Sequence, residues 1–481
     1  MHLSVIAKIL GLLLMVFSTT MLPPVLVAYI YQDGGQIPFL TACAIIFVSG
    51  LVLWLPFMRA NAELQTRDGF LVVTLFWTVL GVMGSVPLML VLDLSVTDAV
   101  FESISGLTTT GATVLSGLDD MPKSLLFYRQ QLQWLGGMGV IVLAIAILPM
   151  LGVGGMQLYK AEIPGPMKES KLTPRVAETA KLLWYVYLTI SILCALSYWW
   201  AGMTPFDAIA LTFSTVSTGG FAPYDDSIAF FDSRAVELVG VIFMFLGGCS
   251  FALMFTAWKL RSPLIFWRDP EFRVFLGLTL AYIIIVDLIL WFSGVYQARH
   301  ENLIHSAFQV VSFSTGTGLT SGSAATWPSL VPFLLVFTSF ISGCAGSTTA
   351  GMKVVRASLV FQHGMRELRR LIYPHGIFAL RFGRRAVDDQ VLQAVWGFVG
   401  VYITLAVLMT LLLTATGLDL ATATSALAAS LNNLGVGIEG VADGFSHLSP
   451  AAKWIMCGAM LLGRLEVFTI LVLFTPMFWR Q

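Results

Sequence analysis

The sequence predicts an all-α integral membrane protein, in which four pseudo-repeated helical units surround a central axis and two transmembrane helices precede them. Two observations place the chain in a membrane. It is 57% hydrophobic and only 11% charged, whereas soluble domains carry about 25% charged residues. Apolar runs long enough to cross a bilayer also recur along the whole chain. A third observation predicts the units, because a polar tract rich in Gly, Ser and Thr recurs four times between these runs.

The apolar runs predict ten transmembrane helices. They are continuous rather than alternating, which favours helices over a β-barrel, and each can cross a hydrocarbon core of about 30 Å. The first run is longer than a signal-peptide core and lacks an A-x-A cleavage pattern, so we expect it to be retained. The predicted spans are residues 7–31, 37–58, 70–93, 131–151, 178–201, 235–258, 273–294, 330–358, 390–416 and 452–478.

The basic residues predict the orientation of these spans. With ten alternating spans, most lysines and arginines fall on one side, and the positive-inside rule makes that side, with both termini, cytoplasmic. The polar tracts then enter the membrane from outside. The residues expected in the cytoplasm are Lys8, Arg59, Arg67, Lys160, Lys168, Lys171, Arg175, Lys259, Arg261, Arg268, Arg366, Arg369, Arg370, Arg381, Arg384, Arg385 and Arg480, and those expected outside are Lys123, Arg129, Arg234, Arg299 and Lys453.

The polar tracts and the segments before them define an internal repeat. Each tract follows a segment of about ten residues, which is too short to cross the bilayer and indicates a re-entrant helix. Asp98 and Asp207 begin two of these segments, where aspartate suits a helix N-cap. The tracts read SGLTTTGAT, STVSTGGFA, SFSTGTGLT and SLNNLGVGI, and their recurring glycines are Gly111, Gly219, Gly318 and Gly435.

A second marker follows each tract and completes the repeat. LGGMG (135–139), LGGCS (246–250), ISGCA (341–345) and LLGRLE (461–466) lie at a nearly constant distance after the tract glycines. The sequence therefore predicts four units of helix, pore helix, polar loop and helix. We expect the leading helix pair in residues 1–68 and the units in residues 69–175, 176–268, 269–388 and 389–481.

Packed about one axis, the four tracts can form a filter for a cation. Glycine lets the backbone turn its carbonyl oxygens inward, and rings of carbonyl oxygens can replace the water shell of a cation. The C-terminal ends of the pore helices carry partial negative charge, which favours a cation there. The tracts hold no ring of carboxylates, so potassium fits better than a divalent ion. The alternative is that the tracts are only close contacts between helices.

Residues 342–351, SGCAGSTTAG, interrupt the second helix of the third unit halfway across the membrane. Many of these small residues are poor helix formers, and non-helical backbone at this depth is tolerated only beside protein or a watery cavity. The segment is either a movable barrier below the filter or a kinked helix packed against its neighbours. The candidate gating residues are Gly343, Gly346, Ser347, Thr348 and Gly351, with Lys353 directly after them.

Arg464 occupies the equivalent position of the fourth unit, deep in an apolar span, and Glu466 follows two residues later. A buried arginine is costly unless it faces a cavity or a partner. Two compatible roles are open. One is a structural tie to Glu466 or to a backbone carbonyl, and the other is a fixed positive charge that slows cations and contacts the loop.

Composition and motifs argue against other functions. The five cysteines lie singly in apolar stretches, so neither a disulfide framework nor a zinc site is expected. The net charge of zero gives no case for a nucleic-acid partner. Neither a GxGxxG motif after a strand nor a P-loop is present, so we expect no organic cofactor on this chain. An intramembrane enzyme stays a remote alternative, and Asp287 is the one obvious carboxylate within a span, with no evident partner.

The motifs TTTGAT, STGGF, STGTGL and NNLGVG are similar to the four filter sequences of the Trk/Ktr/HKT superfamily of potassium transporters. The two leading helices resemble its TrkH branch, and the resemblance covers essentially the whole chain. It implies potassium uptake across a bacterial inner membrane, a homodimer, and a TrkA-like cytosolic nucleotide-binding subunit that regulates opening. A Na⁺-coupled or poorly selective cation permease of the same architecture is the alternative.

The resemblance also implies which residues meet potassium and which move. It likens residues 342–351 to the intramembrane gating loop of the family. It favours the basic loop 362–389 as a docking surface for the regulatory subunit, where the residues alone also allow a lipid-facing anchor. Because the third and fourth tracts replace hydroxyls with Gly316 and with Asn433 and Leu434, we expect an imperfect fourfold cage. The implied filter residues are Thr109, Thr110, Gly111, Ser217, Thr218, Gly219, Gly316, Thr317, Gly318, Asn433, Leu434 and Gly435.

Overall fold

The computed structural model describes residues 1–62, 65–146, 172–322, 327–376, 378–383 and 385–480, and helices dominate it. Lys160, Lys168, Lys171, Arg384 and the end of the predicted span 131–151 lie outside the described residues. The helices are α1 Leu3–Thr19, α2 Leu22–Tyr31, α3 Gln36–Trp54, α4 Thr66–Met83, α5 Val86–Leu92, α6 Val96–Leu107, α7 Lys123–Ala146, α8 Leu172–Trp200, α9 Pro205–Val216, α10 Arg234–Gly248, α11 Phe251–Lys259, α12 Leu264–Arg268, α13 Pro270–Phe292, α14 Arg299–Ser314, α15 Leu330–Phe340, α16 Val354–Ile372, α17 Asp389–Ala415, α18 Leu420–Leu431, α19 Pro450–Arg464, α20 Phe468–Leu471 and α21 Pro476–Trp479. The strands are β1 Ile341–Ser342, parallel to β2 Met352–Lys353, and β3 Arg381–Phe382, antiparallel to β4 Arg385–Ala386.

Six helical stretches of the described chain are long and apolar enough to cross a membrane, and two bent helix pairs raise this number to eight. In the six stretches, between 17% and 39% of the most apolar window is buried in the protein. Most of their apolar surface is therefore left for contact with lipid. The six stretches, Leu3–Tyr31, Gln36–Phe57, Arg67–Leu92, Ala180–Trp200, Pro270–Phe292 and Asp389–Ala415, correspond to six of the ten predicted spans.

The second helices of the second and fourth units, predicted as the spans 235–258 and 452–478, are bent. The axes of α10 and α11 differ by 96°, and α19 turns by 107° into the following helical segment. At the first bend α10 ends at Gly248, and the Phe251 N–H donates to the Gly346 carbonyl oxygen at 3.1 Å. At the second bend Glu466 and Val467 adopt φ of 54° and 55°, which a right-handed helix excludes. The apolar composition continues through both bends, so hydropathy gives each bent pair as one span and does not locate the bend.

The predicted span 330–358 is interrupted where the sequence indicates. α15 ends at Phe340 and α16 begins at Val354. Between them, β1 and β2 pair in parallel and close residues 343–351 into a loop. The interruption of the third unit is therefore a separate loop and not a kink within a continuous helix.

The pore helices α6 and α9 begin with reciprocal capping contacts. Ser95 Oγ accepts the Asp98 N–H at 3.2 Å and donates to its carboxylate at 2.8 Å. Thr204 and Asp207 make the same two contacts at 3.2 and 2.6 Å. The sequence prediction that the aspartates are the N-caps is wrong by three residues. The N-caps are Ser95 and Thr204, and the aspartates are third-position residues whose carboxylates accept the N-cap hydroxyls.

Each unit packs against the next in a closed order. The second helix of the first unit, α7, contacts the pore helix α9, and α10 contacts the pore helix α14. In the same way α15 contacts α18, and α19 of the fourth unit returns to α6 of the first. The four units therefore surround one axis, with the leading helices α1 to α3 packed against the first unit. The finer unit boundaries stay predictions.

Gly50→Leu should loosen the leading helix pair. A Cβ on Gly50 would lie 2.7 Å from the Gly11 carbonyl oxygen, so a larger side chain must push α1 and α3 apart. We expect a loss of about 1–3 kcal/mol of stability, measured as a lower melting temperature of the detergent-solubilised protein. Gly277→Leu is the matched control, because no atom lies within 4 Å of a Cβ at Gly277. Equal melting temperatures would contradict the prediction.

Candidate ion pathway

The four polar tracts end their pore helices in the same backbone conformation. Each tract is a run of four residues that begins directly after its pore helix. The second residue of the run has a φ between 49° and 67°, and the fourth has a φ between 77° and 85°. The third residue donates its N–H to the carbonyl oxygen five residues earlier, at 2.8 to 2.9 Å. These features define tract 1 as Thr108–Gly111, tract 2 as Ser217–Gly220, tract 3 as Thr315–Gly318 and tract 4 as Asn432–Gly435.

Gly220 is the glycine that tract 2 shares with the other tracts. Its φ of +85° equals that of Gly111, whereas Gly219 occupies the position of Thr110 in the first tract. The sequence prediction chose Gly219 as the recurring glycine, and the structure corrects it by one residue. Two glycines are adjacent here, and only their backbone conformations distinguish them.

The tracts meet in a closed ring of backbone contacts. A Cβ built on the fourth residue of each tract would lie only 2.0 to 2.2 Å from a carbonyl oxygen of the next tract. Such a distance is far inside any normal contact, so only glycine allows this approach. The contacts run from Gly111 to Gly219, from Gly220 to Thr317, from Gly318 to Leu434 and from Gly435 back to Thr110. The sequence-predicted filter residues of all four units are therefore brought together.

The side chains of the tracts differ more than their backbones do. The hydroxyls of Thr108 and Thr110 lie 2.7 Å apart, as do those of Thr315 and Thr317. In tract 4, Asn433 Nδ2 donates to Thr110 Oγ1 at 2.8 Å. Hydroxyl and amide groups thus bind one another within and between tracts. The backbone oxygens are the polar groups that all four tracts have in common.

The second position of each tract requires a left-handed backbone. Thr109 and Thr218 both have a φ of +53°, and Asn433 has +49°. Threonine rarely adopts this conformation, and strain of about 1–3 kcal/mol persists only where the surroundings impose it. Gly316 fills the position in tract 3, and the nearest atom to a Cβ there is 3.6 Å away. The glycine that departs from the threonine pattern is thus the residue that fits this backbone best.

Loop 343–351 lies against the C-terminal end of the pore helix α9. Thr348 Oγ1 donates to the carbonyl oxygens of Val216 and Gly247 at 3.2 and 3.1 Å. Thr218 of tract 2 also donates to Thr348 Oγ1 at 3.3 Å. The loop is therefore in direct contact with a tract and with the helix end that supports it.

The loop is also held from within. Ser347 Oγ donates to the Cys344 carbonyl oxygen at 2.6 Å and contacts Thr349 Oγ1 at 2.8 Å. Lys353 Nζ donates to the carbonyl oxygen and the hydroxyl of Thr349. The loop has three glycines with positive φ, Gly343, Gly346 and Gly351. Its shape is thus defined by hydrogen bonds rather than by a helical repeat.

Arg464 connects the loop to the first unit. It is 4% exposed, and its guanidinium donates to the Thr348 carbonyl oxygen at 2.8 Å and to the Gly136 carbonyl oxygen at 3.1 Å. Its guanidinium carbon also lies 5.7 Å from the centre of the Trp77 ring. Of the two ties expected from sequence, the tie to backbone carbonyls is confirmed.

Two carboxylates have other partners than the sequence suggested. Glu466 accepts from Arg356 at 2.6 Å, so it belongs to an ion pair with α16 and not with Arg464. Asp287, expected to lack a partner, accepts from Arg299 at 2.5 Å and from Asn302 at 2.6 Å. The sequence did not reveal these partners, because Arg299 and Arg356 lie 12 and 110 residues away along the chain from the carboxylates that they contact, and only the fold brings them together. Neither carboxylate forms the dyad that an intramembrane enzyme would need.

Comparison with known proteins decides the family. A family model described as a cation transport protein, TrkH, matches residues 36–481. The chain belongs to the TrkH family. It is 50% identical, over the full length of both chains, to the Trk system potassium uptake protein TrkH of Salmonella typhimurium and to that of Escherichia coli. The crystal structure of the potassium transporter TrkH from Vibrio parahaemolyticus matches with a TM-score of 0.93 and 48% identity, and covers all of both chains.

Membership of the TrkH family confirms the predicted fold class. The chain is a multi-pass membrane protein of a cation transport family whose relatives take up potassium. The relatives are transporters, so the intramembrane enzyme is set aside.

The sequence missed polar residues of this TrkH family member that support tract 2. Gln133 Nε2 donates to the Gly219 carbonyl oxygen at 2.6 Å, and Gln133 Oε1 accepts the Phe221 N–H at 3.1 Å. Arg129, expected outside the membrane, is 1% exposed and lies within α7. Their spacing of four residues places both on one face of that helix. This spacing was the available signal in the sequence.

Gly318→Ala should disrupt the ring, whereas Gly316→Ala in the same tract should not. A Cβ on Gly318 would lie 2.0 Å from the Leu434 carbonyl oxygen, so adjacent tracts must separate. We expect a loss of about 3 kcal/mol or more for Gly318→Ala and about 1–2 kcal/mol for Gly316→Ala, from the left-handed backbone alone. Melting temperatures of the purified variants measure the difference. Indistinguishable values would contradict the close approach.

Proposed function

We propose that this protein carries potassium across a bacterial inner membrane through a filter formed by the four tracts. The closed ring of glycine–carbonyl contacts is the observation that supports this most, because it brings four oxygen-rich tracts to one axis. In each tract residues with positive and negative φ alternate, which turns successive carbonyl oxygens toward the same side. Oxygens arranged in this way can replace the water shell of a potassium ion. The names of the relatives, which are potassium uptake proteins, support the choice of ion.

The proposed filter is uncharged and unequal. Its residues carry no carboxylate, which suits a weakly hydrated monovalent ion. Leu434 contributes only backbone, because its side chain is fully buried in an apolar cluster. Asn433 already donates to Thr110, so its amide acts first as a link between tracts. We expect the backbone oxygens to bind the ion in every unit and the hydroxyls to adjust selectivity in the first three.

We propose further that loop 343–351 is a gate and that Arg464 holds it closed. The loop contacts the end of α9 and the tract residue Thr218, so it borders the path of an ion leaving the ring. Arg464 donates to the loop through the Thr348 carbonyl and adds positive charge beside that path. A hydrogen bond to a charged group contributes about 1.5–3 kcal/mol, which is enough to favour a closed loop tenfold or more.

The helix after the loop is the proposed connection to regulation. α16 begins three residues after the loop and carries Arg366, Arg369 and Arg370 near its other end. A TrkA-like cytosolic nucleotide-binding subunit that docks on this basic segment would pull directly on the loop. Regulation by such a partner, a homodimeric assembly and cytoplasmic termini belong to the same proposal. The term "Trk system" in the names of the relatives is consistent with a multi-component assembly.

Ion flux into proteoliposomes tests the filter. With purified protein, external K⁺ should compete with Rb⁺ uptake far more strongly than Na⁺ does. Gly318→Ala should weaken this preference several-fold, because a Cβ at Gly318 would lie 2.0 Å from the Leu434 carbonyl oxygen and would separate tracts 3 and 4. Gly277→Ala is the control, since Gly277 has open space around it. Equal competition by Na⁺ and K⁺ would instead support the poorly selective permease. Uptake that follows an imposed Na⁺ or pH gradient would identify coupling to that ion.

Arg464→Ala should increase potassium flux in the absence of any partner. The variant removes the charge and the hydrogen bond to the Thr348 carbonyl, so we expect roughly a tenfold rise in the open population. Arg234→Ala is the matched control, because Arg234 is 59% exposed in a surface ion pair. Unchanged flux through folded Arg464→Ala protein would remove the gate assignment and leave the filter untouched.

A further inference from the structure

One buried ion pair lies behind the ring of tracts. Glu102 of the pore helix α6 and Arg129 of α7 are each 1% exposed. Arg129 Nε and Nη2 both lie near Glu102 Oε1, at 2.8 and 2.7 Å. A pair that is this deeply buried is weak evidence for stability, because the desolvation of both charges offsets their attraction. The role of this ion pair must therefore be inferred from the residues that it contacts.

Glu102 holds the segment that leaves tract 1. Its carboxylate accepts the hydroxyl of Thr113 at 2.9 and 3.1 Å and the N–H of Val114 at 3.0 Å. These residues come two and three positions after Gly111, the ring glycine of the tract. The pore helix thus fixes the end of its own tract through one carboxylate.

Arg129 extends this support to tract 2. Its guanidinium donates to Thr113 Oγ1 at 3.1 Å and to the Ala222 carbonyl oxygen at 3.4 Å. It also lies over the Phe221 ring, 4.2 Å from the ring centre. Phe221 and Ala222 directly follow Gly220. One charged group therefore contacts the ends of two neighbouring tracts at once.

This arrangement occurs at one junction of the ring. In each unit the N–H of the third tract residue donates to a carbonyl oxygen of the pore helix, and these four acceptors define equivalent positions. The acceptors are Ser105, Ser214, Ser312 and Ala429. Three residues before them, the pore helices carry Glu102 in the first unit and Leu211, Gln309 and Ala426 in the other three. The junction of the first and second units is therefore the one that carries a full charge at this position.

We propose that Glu102 and Arg129 are positioning residues that set the discrimination between K⁺ and Na⁺ at this junction. The inference rests on the proposed filter function. A smaller ion is bound well only if the oxygens can move inward around it. The ion pair opposes this movement in tracts 1 and 2, because it binds both segments where they leave the ring. It touches no ion itself and acts through the position of the backbone.

The test is the ratio of K⁺ to Na⁺ permeability in proteoliposomes, because this ratio does not depend on the amount of folded protein or on how often the gate opens. Glu102→Gln keeps the shape of the side chain and removes its charge. We expect the ratio to fall about tenfold. Thr113→Val keeps the ion pair and removes only the Thr113 hydroxyl, which contacts both Glu102 and Arg129. We expect the ratio to fall several-fold in this variant. Arg234→Gln, which opens the exposed pair with Glu301, should leave the ratio unchanged.

A ratio within twofold of the parent protein in folded Glu102→Gln and Thr113→Val would overturn the inference. If Glu102→Gln does not fold, Thr113→Val decides alone. Gly318→Ala, which disturbs the contact between tracts 3 and 4 and is measured in parallel, separates this failure from failure of the filter. A changed ratio in Gly318→Ala together with unchanged ratios in the other two variants would reject only the positioning role. Unchanged ratios in all three would reject the filter itself.

Discussion

The close approach of four glycines to the carbonyl oxygens of neighbouring tracts is the constraint on which the rest of the structure depends. It requires left-handed backbone at the fourth position of every tract, and it brings the ends of the four pore helices to one ring. The cyclic packing of each second helix on the next pore helix keeps those ends in place. An oxygen-lined ring is therefore a property of the whole assembly, and no single unit contains it.

Much of the architecture could be predicted from the sequence, because the local composition of each segment indicates whether it crosses the membrane or forms a polar tract. Hydropathy locates the spans, and runs of Gly, Ser and Thr locate the tracts and the loop at 342–351. The choice between Gly219 and Gly220 could not be made, since it depends on backbone angles that composition does not encode. The pairing of Glu466 with Arg356 across 110 residues and the bends at Gly248 and Val467 depend on tertiary neighbours. Sequence thus predicts which segments matter better than it predicts their contacts.

Three buried arginines follow a common pattern. Arg129, Arg356 and Arg464 each lie over an aromatic ring and each bind an oxygen of another helix or loop. A guanidinium suits this setting because it is planar, always charged and weakly hydrated. Arg129 contacts the segments that follow tracts 1 and 2, Arg356 connects the helix after the loop to Glu466, and Arg464 contacts the loop itself. These three charges thus connect separate helices and loops of the protein.

The circular order of the units also governs how the protein can be made. Asn433 of tract 4 donates to Thr110 of tract 1, which precedes it by 323 residues. Ribosomes add about 5–20 residues per second, so the first unit waits in the bilayer for tens of seconds before its last neighbour exists. During that interval one flank of the nascent first tract has no partner. The ring of tracts is thus completed only when the final helices insert, and the bilayer holds an unclosed set of units until then.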